Sequence, residues 1–350
     1  MALAFDNNSQ FSENMGAALE VSGRGMSEKI TCDDLPEAQK LKSKMKTRSV
    51  LSVICIVSFI TVYICFLSKN MIIGIIPLII SIGCALGIFV ILFTMRTYFK
   101  NHVVKKALEK YLQIDYLRSE SSHFYSNTSN FYNINNLSGP SGYSTLQSNV
   151  NDIMMAPCNN KMLDFLNINV QGWNSGKFND EIKGVYNGMA FRFLDIELNF
   201  VYSSGKNTKI NKIYGGQAFI FRMSEPLPIG IIYQNKPGED YSDPSGFAKA
   251  FDVKPAIMDE DLTDDVFAEY RRVLETPVMV ETLMRLSQLW KGAVWSLKII
   301  DGLMIFVINR DYVDLFELKK NFDMTMAQLN TDLQEFVEVI QRICTIDSLH

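Results

Sequence analysis

The sequence predicts an α+β fold: an N-terminal transmembrane helical hairpin followed by a mixed, largely antiparallel β-sheet domain with flanking helices. Three observations predict it. Two uncharged apolar runs, Val50 to Leu67 and Met71 to Met95, are separated only by Ser68-Lys69-Asn70. Asn187-Gly188 and Asp301-Gly302 each lie between strand-like apolar segments, and both dipeptides accept the positive φ values of a type I′ hairpin turn. Pro277 to Trp290 and Asp323 to Cys344 place apolar residues at three- and four-residue spacing, as helices packed by one face on a sheet do.

The two apolar runs come first. As helices they measure about 27 Å and about 37 Å, against a hydrocarbon core of about 30 Å, so each is long enough to span. Soluble core helices rarely stay apolar on every face over this length. Lys40, Lys42, Lys44, Lys46 and Arg48 precede the first run, and Arg96, Lys100, Lys105, Lys106 and Lys110 follow the second. Excess positive charge marks the cytoplasmic side, which puts both termini in the cytoplasm and the short turn across the bilayer. The same five residues between 40 and 48 are the candidate contact with anionic headgroups. Met1 to Gln39 shows no basic start followed by an apolar stretch, so no secretory signal peptide is expected and the first run serves as its own insertion signal. Gly83-x-x-x-Gly87 permits close approach of another helix, either the first helix of the same hairpin or one from a second copy.

The chain divides into six expected segments. Residues 1–49 form a cytoplasmic N-terminal segment with its basic stretch, 50–95 the hairpin, and 96–118 a juxtamembrane helix. A polar Ser/Asn-rich flexible segment follows over 119–150, then an α+β cytoplasmic domain over 151–322 and an amphipathic C-terminal helix over 323–350. Within the domain, Ile182 to Tyr186 and Met189 to Phe193 flank the Asn187-Gly188 turn, and Ile196 to Tyr202 continues the alternation. Gly215-Gly216 leads into the apolar strand through Phe221 as a bulge or close turn. Further strands are expected at Ile229 to Tyr233, Val294 to Ile300 and Leu303 to Asn309.

Composition narrows the function. Residues 1–118 hold fourteen Lys and Arg against nine Asp and Glu, whereas residues 119–350 hold twenty against twenty-nine. An acidic domain argues against a nucleic-acid partner. Six cysteines, three of them inside the apolar runs, include no C-x-x-C pair, and only three histidines are present. Neither a disulfide framework nor a zinc site is expected. Gly215-Gly216 is not followed by Gly-Lys-Ser/Thr, so it is no phosphate loop. Glu239-Asp240-Tyr241-Ser242-Asp243 lacks the spacing of a calcium loop, and the acids Asp259, Glu260, Asp261, Asp264 and Asp265 suit a helix start. Trp290 and Trp295 read as packing rather than as a ligand cage. No catalytic, cofactor-binding or metal residue is singled out, and no cofactor is expected.

The C-terminal half resembles an uncharacterised bacterial family with two membrane spans near the N-terminus and a cytoplasmic domain of unknown function. The residues that carry this are Tyr186-Asn187-Gly188, Tyr214-Gly215-Gly216-Gln217-Ala218-Phe219-Ile220-Phe221, Phe247-x-x-x-Phe251, and Glu269 through Pro277 with Leu283. The resemblance covers roughly 180 to 318 and implies a scaffold of turn glycines and strand aromatics, with no catalytic residues to carry over. The closely spaced apolar lobes are also similar to those of chlamydial inclusion-membrane proteins. The expected function is therefore a non-enzymatic membrane-anchored scaffold or adaptor of the bacterial inner membrane, both termini cytoplasmic. Its partners are the lipid bilayer and a membrane or cytoplasmic protein, with self-association as a homo-oligomer also open. Two alternatives stand beside it: a secreted bacterial effector in a host membrane, and a membrane-tethered hydrolase using carboxylates such as Asp195, Glu197 or Glu269.

Overall fold

A computed structural model describes residues 30–68, 71–118, 122–125, 150–168, 170–204, 207–227, 229–256, 262–310 and 315–347. Its first helix, α1 (Pro36–Leu67), starts where Pro36 supplies a helix-ready φ at the first position. Its pattern then changes along its length. Up to Met45 it is one-sided, burying Ala38, Leu41 and Met45, and from Val50 onward it is apolar on every face. The second helix, α2 (Met71–Tyr98), returns alongside. Ser58 and Ser81 are buried in the seam, the Cys55 thiol donates to the Ser81 carbonyl oxygen at 3.6 Å, and Gly87 faces Leu51. Phe59, Phe89 and Phe93 point outward, 65 %, 68 % and 76 % exposed. Both helices are long and apolar enough to cross a membrane, and their most apolar stretches are almost wholly unburied by protein. A soluble core hairpin would hide these side chains.

Helix α2 runs directly into a π-helical turn (Phe99–Val104) and then α3 (Lys105–Glu109). Phe99, Lys100, Val103, Val104, Ala107 and Leu108 are all buried in the domain. The expected juxtamembrane helix over 96–118 therefore ends early. At Gln113 the chain reverses into β1 (Gln113–Arg118), antiparallel to β3 (Ser175–Tyr186). A strand β2 (Ser122–Tyr125) extends the same edge of β3, so the polar segment over 119–150 contributes at its start; residues 119–121 and 126–149 lie outside the described residues.

Among the described residues the sheet has nine strands, all neighbours antiparallel, in the order β1-β3-β4-β5-β9-β8-β6-β7 with β2 beside β1 on β3. The remaining strands are β4 (Met189–Ser204), β5 (Asn207–Arg222), β6 (Ile231–Asn235), β7 (Phe251–Pro255), β8 (Val294–Ile300) and β9 (Leu303–Asn309). Both expected I′ turns are present, with positive φ at Asn187 (49°) and Gly188 (84°) and at Asp301 (50°) and Gly302 (75°). The bulge in β5 falls at Ile213, where the pairing of Leu198 with Tyr214 slips to Asn199 with Lys212, just before Gly215-Gly216.

Helices cover both faces. Short α4 (Val150–Met155) and α5 (Asn160–Phe165) bury Ile153, Met162 and Leu163 on one face, over Leu194, Ile196, Leu198, Ile220 and Ile305. Next in the chain come α6 (Phe247–Ala250), just before β7, and α7 (Asp264–Leu274), capped by Thr263. The other face carries α8 (Pro277–Leu289), capped by Thr276, and α9 (Phe322–Asp347). Gly292, at φ 83°, turns the chain from α8 into β8. Trp290 and Trp295 are buried edge to face at 5.6 Å, core residues as their sequence context suggests. The C-terminal helix docks on its own domain: Phe336 sits 5.2 Å from Phe193, 5.5 Å from Phe219 and 5.6 Å from Phe316. Truncating an aromatic so enclosed costs about 3–5 kcal/mol, so α9 is core structure.

Candidate functional site

Asp and Glu are disfavoured inside strands, yet Asp180 and Glu181 stand together in β3 at a register shift. Adjacent strand residues point to opposite faces, and each acid fixes one helical layer. On the side of the helical hairpin, Lys100 from the π-turn donates to the two carboxylate oxygens of Asp180 at 2.8 Å and 2.6 Å. Both side chains are buried. Glu317, from the segment before α9, lies 3.5 Å from Lys100 and 3.1 Å from Arg96 of α2. Burial pushes the Asp180 carboxyl above the usual range, against the opposing pull of Lys100.

On the opposite face, Glu181 lies 2.7 Å from Arg192, 3.3 Å from Lys183 and 3.1 Å from Arg118. Burial alone would raise its carboxyl, but these cations bring it below the ordinary value. Arg192 also donates to the carbonyl oxygens of Ile153 and Ala156, both at 2.7 Å, which ties α4 to the sheet. Asp180 and Glu181 are thus structural pivots around which the helices are hung.

A polar cleft of about 660 Å³ opens between α8 and α9, with Tyr241, Glu281, Arg285, Gln288, Glu338 and Arg342 among its walls. Arg342 donates to Glu338 at 2.9 Å, and Gln288 donates to the Tyr241 carbonyl oxygen at 2.6 Å. A second hollow of about 770 Å³ lies between the N-terminal residues and α9, lined by Asp33, Asp34, Lys42, Asn330 and Glu335. Gln334 and Glu338 border both, so the outward face of α9 separates two polar depressions. Charged and amide side chains make up much of the lining of both, unlike the mostly apolar lining of a typical small-molecule pocket.

The residues singled out from sequence divide among several places. Lys40 and Lys44 lie over the Tyr98 ring at 5.6 Å and 4.0 Å, and Lys42 over Phe322 at 5.3 Å. These cation–π contacts brace the base of the hairpin, while Lys46 is exposed and Arg48 half-buried. Gly87 packs within the hairpin; a Cβ on Gly83 would meet nothing within 4 Å. Asp195 is buried on β4, Glu197 pairs with Lys177 at 3.0 Å, and Glu269 pairs with Arg272 at 2.6 Å on the exposed side of α7. None of the three lines either cleft. Among the described residues no cluster of three His, Cys, Asp or Glu side chains is placed to hold a metal.

In the sequence Lys100 reads only as one of the charges that set orientation, and Asp180, Glu317 and Arg192 carry no site signal. The visible signal is the pair of consecutive acids inside a strand pattern. Compared with protein families, with curated proteins and with solved structures, the chain matches none.

Proposed function

We propose that this protein is a membrane-anchored scaffold whose α+β domain presents the cleft between α8 and α9 to a protein partner at the cytoplasmic surface. The carrying observation is the joint itself. Helix α2 continues without a break into the domain core, and buried Lys100 binds Asp180 at the point of entry. A domain tethered by a flexible linker would sample many heights above a bilayer. One whose last span is also a core helix holds its cleft at a single height and orientation, as a component of a membrane complex requires. The apolar, outward-facing side chains of the hairpin support the anchor, and the lysines on either side of it support cytoplasmic termini.

The test is in-cell photocrosslinking of the full chain with p-benzoylphenylalanine at Gln288 in the cleft, and at Asn187 on a turn elsewhere. A discrete protein adduct at position 288 and none at 187 is the expected result. If position 288 yields no adduct, or only a second copy of the chain, the adaptor reading fails.

A further inference from the structure

The β4–β5 hairpin is longer than the sheet it belongs to. Ser175 pairs with Asn199 and Asn309 with Gly216, and beyond those rungs, among the described residues, β4 and β5 pair as strands only with each other. The Asn174 side chain adds one clasp at the root, exchanging hydrogen bonds with the backbone of Val201. The arm beyond exposes Phe200 (39 %), Tyr202 (37 %), Ile210 (64 %) and Ile213 (40 %). Val201 and Ile210 are cross-strand partners, as are Tyr202 and Lys209, so apolar groups occupy both faces of the ribbon. A ribbon built to cover the domain would hide one face.

Its direction follows from three contacts. Arg96 and Lys100 meet Glu317 and Asp180, and further from the apolar run Gln113 pairs with Val185. Moving away from the span along the chain therefore moves up β3 from Asp180 to Val185, and the Ser175 end of β3 points toward the bilayer. The antiparallel register sends the end of β4 and the start of β5 the same way. From Asp195, level with Asp180, to Ser204 is about 30 Å of strand. Arg96 stands only about 6 Å along the helix from Lys100. An arm that long reaches the plane of Arg96 even when strongly inclined to the span.

Charge agrees. Residues 199–216 contain Lys206, Lys209 and Lys212 and no acid, in a region otherwise rich in Asp and Glu. Lys209 lies over the Tyr202 ring at 6.0 Å. Aromatic rings beside lysines are the composition of a membrane–water boundary. We propose that the β4–β5 arm is a second membrane contact. Phe200, Tyr202 and Ile210 lodge at the boundary of headgroups and acyl chains of the leaflet that the hairpin already enters, and Lys209 meets anionic headgroups. The proposal rests on the anchor reading, and it gives the domain a second fixed point beside the Lys100–Asp180 joint.

The experiment uses the full chain in vesicles of phosphatidylethanolamine and phosphatidylglycerol, with p-benzoylphenylalanine at Tyr202, at Phe89 in the second apolar run, or at Asn187 at the far end of β4. Lipid adducts read by mass spectrometry are expected at 202 and 89 and not at 187. Ile210, the most exposed of the arm residues, serves as a second labelling site if the Tyr202 variant misfolds. Lipid at 89 without lipid at 202 or 210 overturns the arm contact and leaves the anchor standing; lipid at none of them removes both. Adducts between two chains at 202 overturn it in favour of self-association. Lys209→Glu should lower the adduct yield at 202 about fivefold, and an unchanged yield overturns the headgroup assignment.

Discussion

Lys100 reaches both carboxylate oxygens of Asp180 at 2.8 Å and 2.6 Å, from a π-turn at the foot of α2 to the middle of β3. The pair joins the helical hairpin to the sheet where water has been excluded from both partners. Removing one partner of such a pair strands a buried charge, at about 3–5 kcal/mol. Lys100→Ala should therefore destabilise the domain by that amount, whereas Lys100→Met with Asp180→Leu should recover most of it, because an apolar pair of similar volume needs no solvation. Denaturant unfolding of the full chain in detergent micelles measures both. A Lys100→Ala variant within about 1 kcal/mol of the parent would show that the joint contributes little.

Asp332 on α9 holds a backbone turn in place: its Oδ2 accepts the Phe316 backbone N–H at 2.7 Å, and Phe316 is held at φ 57°. Burial raises its carboxyl to about 6 from 3.8, despite hydrogen bonds from Gln328 and Phe316. A raised carboxyl contributes stability that is complete below the unfolded value of 3.8 and is lost as pH rises through about 6. Asp332→Asn keeps an acceptor for Phe316, and Gln328 can turn its amide to accept from the new one. The variant should be more stable than the parent by about 2–3 kcal/mol at neutral pH, with the gain vanishing toward pH 4. Paired thermal melts across that range decide it. A pH-independent difference between variant and parent would refute the assignment.

Much of this architecture is legible in the chain. Asn187-Gly188 and Asp301-Gly302 announce their turns because few other residues accept positive φ twice in succession, and the apolar runs announce the hairpin by length alone. Gln113 to Arg118 reads as helix in sequence and folds as strand, since the preceding Lys-Lys-Ala-Leu-Glu-Lys is strongly helix-forming and nothing local marks the reversal. Its strand state comes from pairing with β3, more than sixty residues away. The joint is hidden for the same reason: Lys100 and Asp180 are eighty residues apart, and no spacing rule links a helix foot to a strand centre.

Gly184 tests the pairing that overrides local preference. A Cβ there would collide with the Gln113 carbonyl oxygen and come within 2.8 Å of the Phe191 ring. Neither can yield, one being backbone and the other a fully enclosed ring. Gly184→Ala should cost about 1–3 kcal/mol and loosen β1 specifically. Hydrogen exchange of Gln113–Arg118 should quicken while that of β8 and β9 stays unchanged. Uniform acceleration across the sheet would show global destabilisation instead of an unzipped edge.

The two glycines of α2 should behave unequally, although the sequence motif treats them alike. A Cβ on Gly87 would stand 3.4 Å from Leu51 of α1, while one on Gly83 would face open space. Within a bilayer, helices associate through close packing of small residues, so Gly87 is the one that seats the two helices of the hairpin. Gly87→Ile should wedge them apart and lower the melting temperature of the full chain in micelles. Gly83→Ile should leave it unchanged if α1 is the only helix α2 meets. Light scattering in detergent supplies the second readout. A Gly83→Ile variant that dissociates a larger particle into single chains would place another copy against the open side of Gly83, making self-association part of the anchor.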